Sequence, residues 1–453
     1  MPIAQEMARF IVKADINDFP VETIEFAKQL SFKCIGGILV GSTVPSSRKI
    51  LKFIKSTGGI PEAGVIGCGF RSSIENAALA NGYFAHASEL EDDQFPGGGV
   101  SDITVWPTVL TLAEHLKLTG SEMIEALLVG EEVQNRIGYY VSDLTEGMGI
   151  VGLPFFGIFG ATAAACRAYR LNEEQTAQAL GIAISQGIGY IHNFGTDAHF
   201  LESAFDCRNG ISIAKLAKEG MTSNPSFEKW LDAFVGEGKV PYEKITENLG
   251  KPPFYIHNVW IKKYPGCFFT HRYIDALALL LKEHKFTYEQ IEEVTIDVGP
   301  TDAICDRPQP QTIGDGMFSF QHQLSAVMLD GDINKHTFSD QKLFGQEFTN
   351  ARGKIKVRYP QDWPRRYMAN SARVEVLLKN GVREVKELEQ SIGGPKNPLT
   401  MQQCVDMYRK LAADALSEKQ IERTVALLSR LEQLPDILEL MDIMTFRHSI
   451  ISD

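Results

Sequence analysis

The sequence lacks the short motifs that identify the common cofactor and nucleophile sites. It contains no HExxH, no P-loop and no GxSxG in a triad context, and Gly64, Gly67 and Gly69 do not form the GxGxxG of a dinucleotide site. Its seven cysteines include no CxxC pair and no zinc-like spacing, which indicates reduced thiols in a reducing compartment. No uncharged apolar run approaches about 18 residues, so no membrane-spanning helix is predicted.

Positive charge is also in short supply. The 45 lysines and arginines are outnumbered by 57 aspartates and glutamates, which gives a net charge of −12. This charge disfavours non-specific binding of nucleic acid or of anionic membranes, although a local basic pocket can still bind an anionic substrate. The N-terminus, Met1 to Asp18, has three acidic residues and no long apolar segment, so no secretory signal is predicted there. We expect a cytoplasmic protein with neither a nucleic-acid partner nor a membrane partner.

The first half of the chain has the pattern of packed helices. In an early helix, Gly36, Gly37 and Gly41 would weaken the helix unless another backbone packs closely there. The polar segment 187–199 is predicted to be a loop between helices, and the next helix is predicted to begin near Ser203. Four further segments carry good helical patterns, joined by short links that contain glycine or asparagine: 106–117, 121–136, 155–169 and 173–188.

Strand patterns appear in the second half. Residues 294–298 and 354–357 alternate as strands. The segments 372–377 and 382–385 flank Asn380-Gly381, which is a strong hairpin signal. These patterns predict an α/β region within a chain that is otherwise helical.

Amphipathic helices return at 401–416 and 419–431. The sequence therefore predicts a mainly α protein with a smaller α/β domain. The expected domains are a first helical part, an α/β domain and a C-terminal return to the helical domain: 1–260, 261–395 and 396–453.

The pattern changes where Lys262, Lys263 and His271 stand close together. Pro265 and Gly266 break any helix before them, and the apolar stripe that follows predicts a new helix with the histidine in its first turn. Two lysines, a tyrosine, a cysteine and a histidine within this stretch are suited to bind a carboxylate and to move a proton. The alternative is an ordinary domain junction, in which the two lysines lie at the surface.

Four blocks in register carry a resemblance to a known family. Tyr264 to Ala276 matches YPxCxxxHxxIDA, and Asn81 to Asp93 is similar to NGxxxHxxDxDD. Phe159 to Ala165 is similar to FGAAAAA, and Met317 to His322, followed by Asp330-Gly331, is similar to FSxxY…DG. The chain thus resembles the MmgE/PrpD family, which includes 2-methylcitrate dehydratases, cis-aconitate decarboxylases and an iminodisuccinate epimerase.

The resemblance implies a helical body built from both chain ends, with the α/β domain as a lid over the active site. It also implies a homodimer and a small carboxylate or carbonyl substrate. The implied chemistry is removal of a proton from the carbon next to a carboxylate, followed by loss of water, loss of CO2 or reprotonation. The resemblance implies no metal and no organic cofactor.

The sequence departs from the family pattern at several site positions. The family's histidine after the acidic segment is absent from Val100 to Ile103, and the one before the FGAAAAA helix falls on Val151. The family's lysine falls on His199, while the arginine of the same block is kept as Arg208. The family's FSxxY tyrosine becomes His322. A histidine in place of a permanent cation suits a less highly charged substrate, or a base where there was an anion contact.

We predict that His271 and His199 form an acid/base pair, with Asp92 or one of its neighbours orienting one of them and His322 as a further catalytic residue. Six residues are predicted to contact the substrate: Arg208, Lys262, Lys263, Glu91, Asp93 and His192. Structural interpretations stay open for several of them, because Arg208 also suits a helix surface and His192 also suits loop packing. The acidic segment that holds Glu91 to Asp93 also suits a solvated helix end.

Three functions compete at this point. The first is a dehydratase-type lyase, which is the dominant activity implied by the resemblance. The second is an isomerase or epimerase, which requires only two opposed bases. The third is a non-catalytic binding or scaffold protein, against which the new histidines at positions 199 and 322 argue.

Overall fold

The structure is a computed structural model that describes residues 2–94, 97, 99–145, 148–361 and 371–446. The chain divides into two compact units. The helical unit comprises Met1–Asn193, Asp197–Val259 and Thr400–Asp453, and the mixed unit comprises Phe194–Thr196 and Trp260–Leu399. The predicted fold class, mainly α with a smaller α/β part, is confirmed.

The described residues form the following helices, in chain order: α1 Ile3–Lys13, α2 Val21–Gly41, α3 Ser47–Thr57, α4 Ile74–Ala87, α5 Asp102–Leu116, α6 Gly120–Thr145, α7 Gly152–Ala168, α8 Glu173–Ala183, α9 Asp197–Lys218, α10 Phe227–Val235, α11 Tyr242–Thr246, α12 His271–His284, α13 Ile313–Met317, α14 Phe320–Asp330, α15 Asp340–Phe344, α16 Gln346–Arg352, α17 Met401–Ala412, α18 Glu418–Leu428 and α19 Leu438–Thr445. The strands are β1 Ala63–Val65, β2 Phe70–Ser72, β3 Asp93–Gln94, β4 Val259–Trp260, β5 Ile291–Asp297, β6 Ile355–Arg358, β7 Ala372–Leu378 and β8 Arg383–Leu388.

Close helix packing in the helical unit depends on small residues. α4 packs on α9 and α2, and α7 packs on α6 and α9. A Cβ atom added at Gly41 would lie 1.8 Å from the carbonyl oxygen of Phe84, so the end of α2 lies directly against the backbone of α4. A Cβ atom added at Gly210 would lie 2.7 Å from the Cβ of Ala161, which shows the same close approach between α9 and α7. This packing holds the polar residues of α4 and α9 next to each other.

The mixed unit is built on a four-stranded sheet in the order β6-β5-β7-β8. β5 pairs parallel to β6, whereas β7 pairs antiparallel to both β5 and β8. Alternate residues of β7 are buried, as expected for a strand with one face on a core. Helix α12 contacts β7 and β8, and α14 packs on α12. The buried face of the sheet and these helices share one hydrophobic core.

Most of the predicted elements are present, with shifted ends. The predicted hairpin is confirmed, because β7 and β8 pair across Asn380-Gly381. The prediction that a helix begins near Ser203 is wrong, since α9 already begins at Asp197. The predicted loop therefore ends earlier, and His199 lies on a helix. Among the helices of the described residues, none has both the length and the apolarity that crossing a membrane requires.

Candidate functional site

A pocket of about 580 Å³ opens in the helical unit, and its wall combines apolar side chains with several charged ones. Helix α9 supplies Glu202, Asp206, Arg208 and Asn209, and the segment before α7 supplies Ile150. One cation and two carboxyl groups thus line a space large enough for a small organic acid. Arg208 was predicted to contact the substrate, whereas Glu202 and Asp206 were not singled out.

The guanidinium of Arg208 is available to an anion in this pocket. Its Nε and Nη2 donate hydrogen bonds to Oδ1 of Asn209, at 3.1 and 3.0 Å, and its plane lies over the ring of Phe205. In the part of the chain that the structure describes, no carboxylate lies within ion-pair distance of Arg208. Burial lowers the pKa of Arg208, but an arginine remains charged at neutral pH.

Asp206 is the most deeply buried acid of the pocket wall, with 2% of its surface exposed. Burial, together with the neighbouring charge of Glu202, raises the pKa of Asp206 well above its usual range. Its carboxyl group lies against Gly157 of α7, where a side chain larger than hydrogen would collide with it. Asp206 therefore keeps its proton to a higher pH than an ordinary aspartate, which suits a carboxyl group that donates a proton.

Glu202 joins the pocket to a pair of histidines. Its Oε2 lies 2.8 Å from Nδ1 of His199, and its Oε1 accepts a 3.3 Å hydrogen bond from the backbone N–H of Tyr190. The rings of His199 and His86 meet edge to face, with centroids 4.3 Å apart. Glu89 completes a buried group with these two histidines, in which one ligand atom of each residue lies within 4.8 Å of the others. Among the described residues, this is the one His/Cys/Asp/Glu group with the spacing of a metal site.

Asp92 belongs to a different buried network, around Lys33 of α2. The Nζ atom of Lys33 lies 2.5 Å from Asp92 and 2.8 Å from Asp102, and the lysine side chain has no exposed surface. Burial by itself would lower the pKa of Lys33, but the charges of Asp102 and Asp92 outweigh it and raise the pKa. The carboxylate that the structure places on His199 is that of Glu202. The orienting role of Asp92 therefore stays a prediction.

Glu91, Asp93 and His192 are the remaining predicted contacts in the helical unit. Glu91 is buried and Asp93 is half-buried, so the interpretation of this segment as a solvated helix end is wrong. His192 is exposed and lies against the ring of Tyr190, at 5.0 Å between centroids. This contact favours the loop-packing interpretation of His192, and its contact with substrate stays a prediction.

His271 is buried in the mixed unit at the start of α12, as the sequence predicted. Its ring lies 5.4 Å from that of Tyr264 and 4.9 Å from that of Phe268. Within the described residues, neither ring nitrogen has a hydrogen-bond partner in good geometry. Burial, and then the charges of Lys262 and Lys263, hold the pKa of His271 well below its usual range. The imidazole is therefore neutral at physiological pH, which is the form that accepts a proton.

The two lysines differ in their surroundings. Lys262 is 1% exposed, so the interpretation of this residue as a surface lysine is wrong. Lys263 is half-buried and donates a 2.6 Å hydrogen bond to the hydroxyl of Tyr264, which in turn donates one of 2.9 Å to Asp275. The structure thus brings both lysines close to His271. Their contact with a substrate stays a prediction.

His322 lies in the core of the mixed unit. It is fully buried between the rings of Phe338 and Phe348, and its Nε2 lies 2.9 Å from the carbonyl oxygen of Thr337. Burial lowers the pKa of His322 to about 4. These contacts favour a structural role for His322, and its catalytic role stays a prediction.

Glu202 and Asp206 were not predicted from the sequence, yet they lie on the same face of α9 as His199, which was predicted. Glu202 follows His199 by three residues, and Asp206 follows Glu202 by four, which places all three side chains along one helix face. The signal was present in the spacing. It was hidden because the segment up to residue 199 was interpreted as a loop.

Comparison with known families agrees with this architecture. A model of the MmgE/PrpD N-terminal domain matches residues 5–232, and a model of the MmgE/PrpD C-terminal domain matches residues 264–433. The chain belongs to the MmgE/PrpD family. The resemblance inferred from the four sequence blocks is thereby confirmed.

Several relatives align over most of the chain at low identity. The cis-aconitate decarboxylase of Mus musculus is 24% identical, over 96% of this chain and 91% of the mouse protein. The cis-aconitate decarboxylase-like protein oryM of Aspergillus oryzae is 26% identical, over 97% of this chain and 96% of that protein. The cis-aconitate decarboxylase of Aspergillus terreus is 25% identical, over 98% of this chain and 96% of the fungal protein. Such identities leave room for a different substrate.

Proposed function

We propose that this protein is a lyase that acts on a small carboxylic acid, breaking a bond at the carbon next to a carboxylate and releasing CO2 or water. Membership of the MmgE/PrpD family supports a lyase-type enzyme in general terms. The names of the relatives make decarboxylation the first reaction to test. The observation that carries the proposal is the pocket in which the cation of Arg208 and the buried carboxyl group of Asp206, whose pKa is raised, stand on one helix.

Arg208 would bind a carboxylate of the substrate. A guanidinium presents parallel N–H donors that match the two oxygens of a carboxylate, and such charged hydrogen bonds are stronger than neutral ones. Apolar side chains, including Ile150 and Ile188, form much of the remaining wall and can contact the carbon skeleton of a substrate. One carboxylate would then be held while the reacting carbon lies within the pocket.

Asp206 would supply the proton that decarboxylation requires. When the C–C bond breaks, CO2 leaves and the electron pair stays on the substrate carbon. The O–H of Asp206 then protonates that carbon, and water restores the proton to the carboxylate. A carboxyl group with a raised pKa suits this step because it holds a proton to a higher pH than an ordinary carboxyl group.

Dehydration requires a base in addition, and His271 has the required neutral form. In that reaction, the histidine removes a proton from carbon while an acid protonates the departing hydroxyl group. The role of His271 as a base is carried over from the family resemblance. Replacement of His271 by alanine tests it directly, because decarboxylation without a base would persist.

Proton NMR in D2O with a panel of small carboxylic acids, beginning with cis-aconitate, distinguishes these reactions. CO2 loss gives a product with one carboxylate fewer, a deuterium taken from the solvent and released CO2, whereas dehydration keeps every carboxylate and replaces the proton signal next to a hydroxyl group by a vinylic signal. Deuterium exchange next to a carboxylate without any product would contradict a lyase and favour the epimerase alternative. Identical spectra for the wild type and a heat-denatured sample across the panel would contradict an enzyme of this substrate class.

Two variants test the assigned residues once a substrate is found. Arg208→Met should raise KM by about 10- to 100-fold, which corresponds to the loss of a charged hydrogen bond. Lys218→Met is the matched control, since it removes an exposed positive charge from the same helix outside the pocket. Asp206→Asn should lower kcat by about 100-fold or more with little effect on KM, because the shape is kept and the proton is lost. Full kcat in Asp206→Asn would remove it as the proton donor.

A further inference from the structure

A buried group of three side chains lies beside the pocket, in the helical unit. His86 is in the last turn of α4, Glu89 follows that helix, and His199 is in the first turn of α9. Their exposed fractions are 1%, 1% and 6%. One ligand atom from each residue lies within 4.8 Å of the other two. These residue types are the ones that bind zinc and iron in proteins.

The spacing suits one ion. Three atoms that are no more than 4.8 Å apart all lie within about 2.8 Å of a common point. Bonds from zinc to histidine nitrogen or carboxylate oxygen are about 2.0–2.2 Å long. A shift of each side chain by well under 1 Å, within reach of small χ rotations, would therefore complete the coordination.

In both histidines the Nδ1 atom contacts a neighbouring side chain, as is usual for histidines that bind a metal. The Nδ1 atom of His199 lies 2.8 Å from the carboxylate of Glu202, and the Nδ1 atom of His86 lies 3.3 Å from the hydroxyl of Ser203. A carboxylate behind a histidine fixes its tautomer and makes its other nitrogen a better ligand. We infer that each ring would bind an ion through Nε2.

The backbone of Glu89 is strained in a way that serves the same group. Its φ is 51°, a left-handed conformation that is uncommon for a residue with a side chain. Strained backbone of this kind persists where the surrounding structure requires it, and it clusters at functional sites. Here it ends α4 and turns the carboxylate back toward the two histidines.

We propose that His86, Glu89 and His199 form a binding site for one divalent first-row transition-metal ion, with zinc or ferrous iron as the candidates. Two histidines and one carboxylate are a recurrent ligand set for both ions, and they leave coordination positions open. The family resemblance implied no metal, but it placed a lysine at position 199. A lysine there would put a positive charge into the group, whereas histidine supplies a neutral ligand.

The metal site and the acid/base role predicted for His199 exclude each other. An imidazole that binds an ion through one nitrogen and Glu202 through the other has no lone pair left to accept a proton. The proposal therefore replaces that role and leaves Arg208 and Asp206 as they are. It is also independent of the proposed lyase activity, because its test measures bound metal.

The first measurement is the metal content of the full chain after expression in medium supplemented with zinc and iron and after desalting. Inductively coupled plasma mass spectrometry should find about one equivalent of zinc or iron. In a sample stripped with a chelator, Co²⁺ should give the visible absorption bands of a nitrogen- and oxygen-bound ion. Wild-type protein with less than about a tenth of an equivalent, and no cobalt bands, would overturn the proposal.

Matched variants then assign the ligands. His199→Lys and Glu89→Gln should each reduce the content to less than about a tenth of an equivalent. Glu202→Gln should lower the metal affinity by about 10- to 100-fold, because Glu202 contacts the ligand His199 and is not itself a proposed ligand. His336→Ala is the control, since it removes an exposed histidine from the mixed unit.

Circular dichroism melts identify any variant that fails to fold. Retention of the full metal content by a folded His199→Lys or Glu89→Gln protein would overturn the assignment. Loss of metal from His336→Ala to the same extent would overturn it as well, because the ion would then be bound at the surface.

Discussion

Removal of Lys33 should destabilise the helical unit strongly. The lysine side chain is fully buried, and its Nζ stands between the carboxylates of Asp92 and Asp102 at 2.5 and 2.8 Å. Lys33→Met has nearly the same length and fills the same space, so its effect reports the charge rather than a cavity. The variant leaves two buried carboxylates without their common cation.

The magnitude follows from the cost of unpaired buried charge. Removing one partner of a buried ion pair costs about 3–5 kcal/mol, since the remaining charge is desolvated without compensation. For a unit of roughly 300 residues, an unfolding entropy of about 2.1 cal/mol/K per residue makes 1 kcal/mol equivalent to about 1.5 °C. The melting temperature should therefore fall by about 5–8 °C.

Thermal melts followed by circular dichroism at pH 7 test this, with Lys28→Met as the matched control on the same helix. Lys28 is also buried, but its partners Glu25 and Glu432 remain 48% and 26% exposed. Their charges stay solvated when the lysine is lost, so the control should cost about 1 kcal/mol or less. Adding Asp102→Asn to Lys33→Met should recover part of the loss. Equal melting temperatures for the two lysine variants would refute the reasoning.

Three further predictions concern stability. Because the pKa of His322 is about 4 in the folded protein, below its ordinary 6.5, stability should fall by at most about 3 kcal/mol as the pH drops from 6.5 to 4. Melts of His322→Asn across this range should lack that slope, and an unchanged slope would contradict the assignment. Burial raises the pKa of Glu131 to about 8, above its ordinary 4.5. The contribution of Glu131 to stability is therefore lost as the pH rises from 4.5 through 8. Glu131→Gln should have a higher melting temperature than the wild type at about pH 8.5. Gly41→Ala should lower the urea midpoint of unfolding, because its Cβ would lie 1.8 Å from the carbonyl oxygen of Phe84. Gly37→Ala is the control: its Cβ would lie 3.4 Å from its nearest neighbour, so the midpoint should stay equal or rise. The opposite order of the two midpoints would contradict the observed packing.

Local patterns predicted the elements well where the pattern repeats within one segment. The hairpin of β7 and β8 was predicted because Asn380-Gly381 fixes a tight turn between two alternating segments. The start of α9 was mispredicted because Asp197 follows a segment rich in glycine and polar residues. Only the packing of α9 on α4 and α7 explains why the helix includes these residues. Gly41 was predicted in part. Its place in a helix indicated that another backbone packs closely there, but the sequence did not indicate that this backbone is that of Phe84.

The site residues also divide into those with a local sequence signal and those without one. His271 and Arg208 were predicted because they belong to family motifs. Glu202 could have been predicted as well if His199 had been assigned to a helix, because the two residues are three positions apart. Lys33 had no local signal at all. Its partner Asp102 lies 69 residues away in the sequence, and a lysine in an apolar helix gives no indication of the carboxylates that neutralise it.

The substitution at position 199 gains its meaning from residues that the motif does not include. A histidine in place of a lysine would on its own suggest a weakened anion contact. In the structure the same histidine is bonded to Glu202 and meets His86 and Glu89, so the change creates a ligand set. The cation that the pocket keeps is Arg208, which lies further along α9 in the sequence. Anion binding and metal binding would then be divided between two positions along one helix, and the variants at positions 199 and 208 should separate them. Arg208→Met should change KM at constant metal content, and His199→Lys should remove the metal.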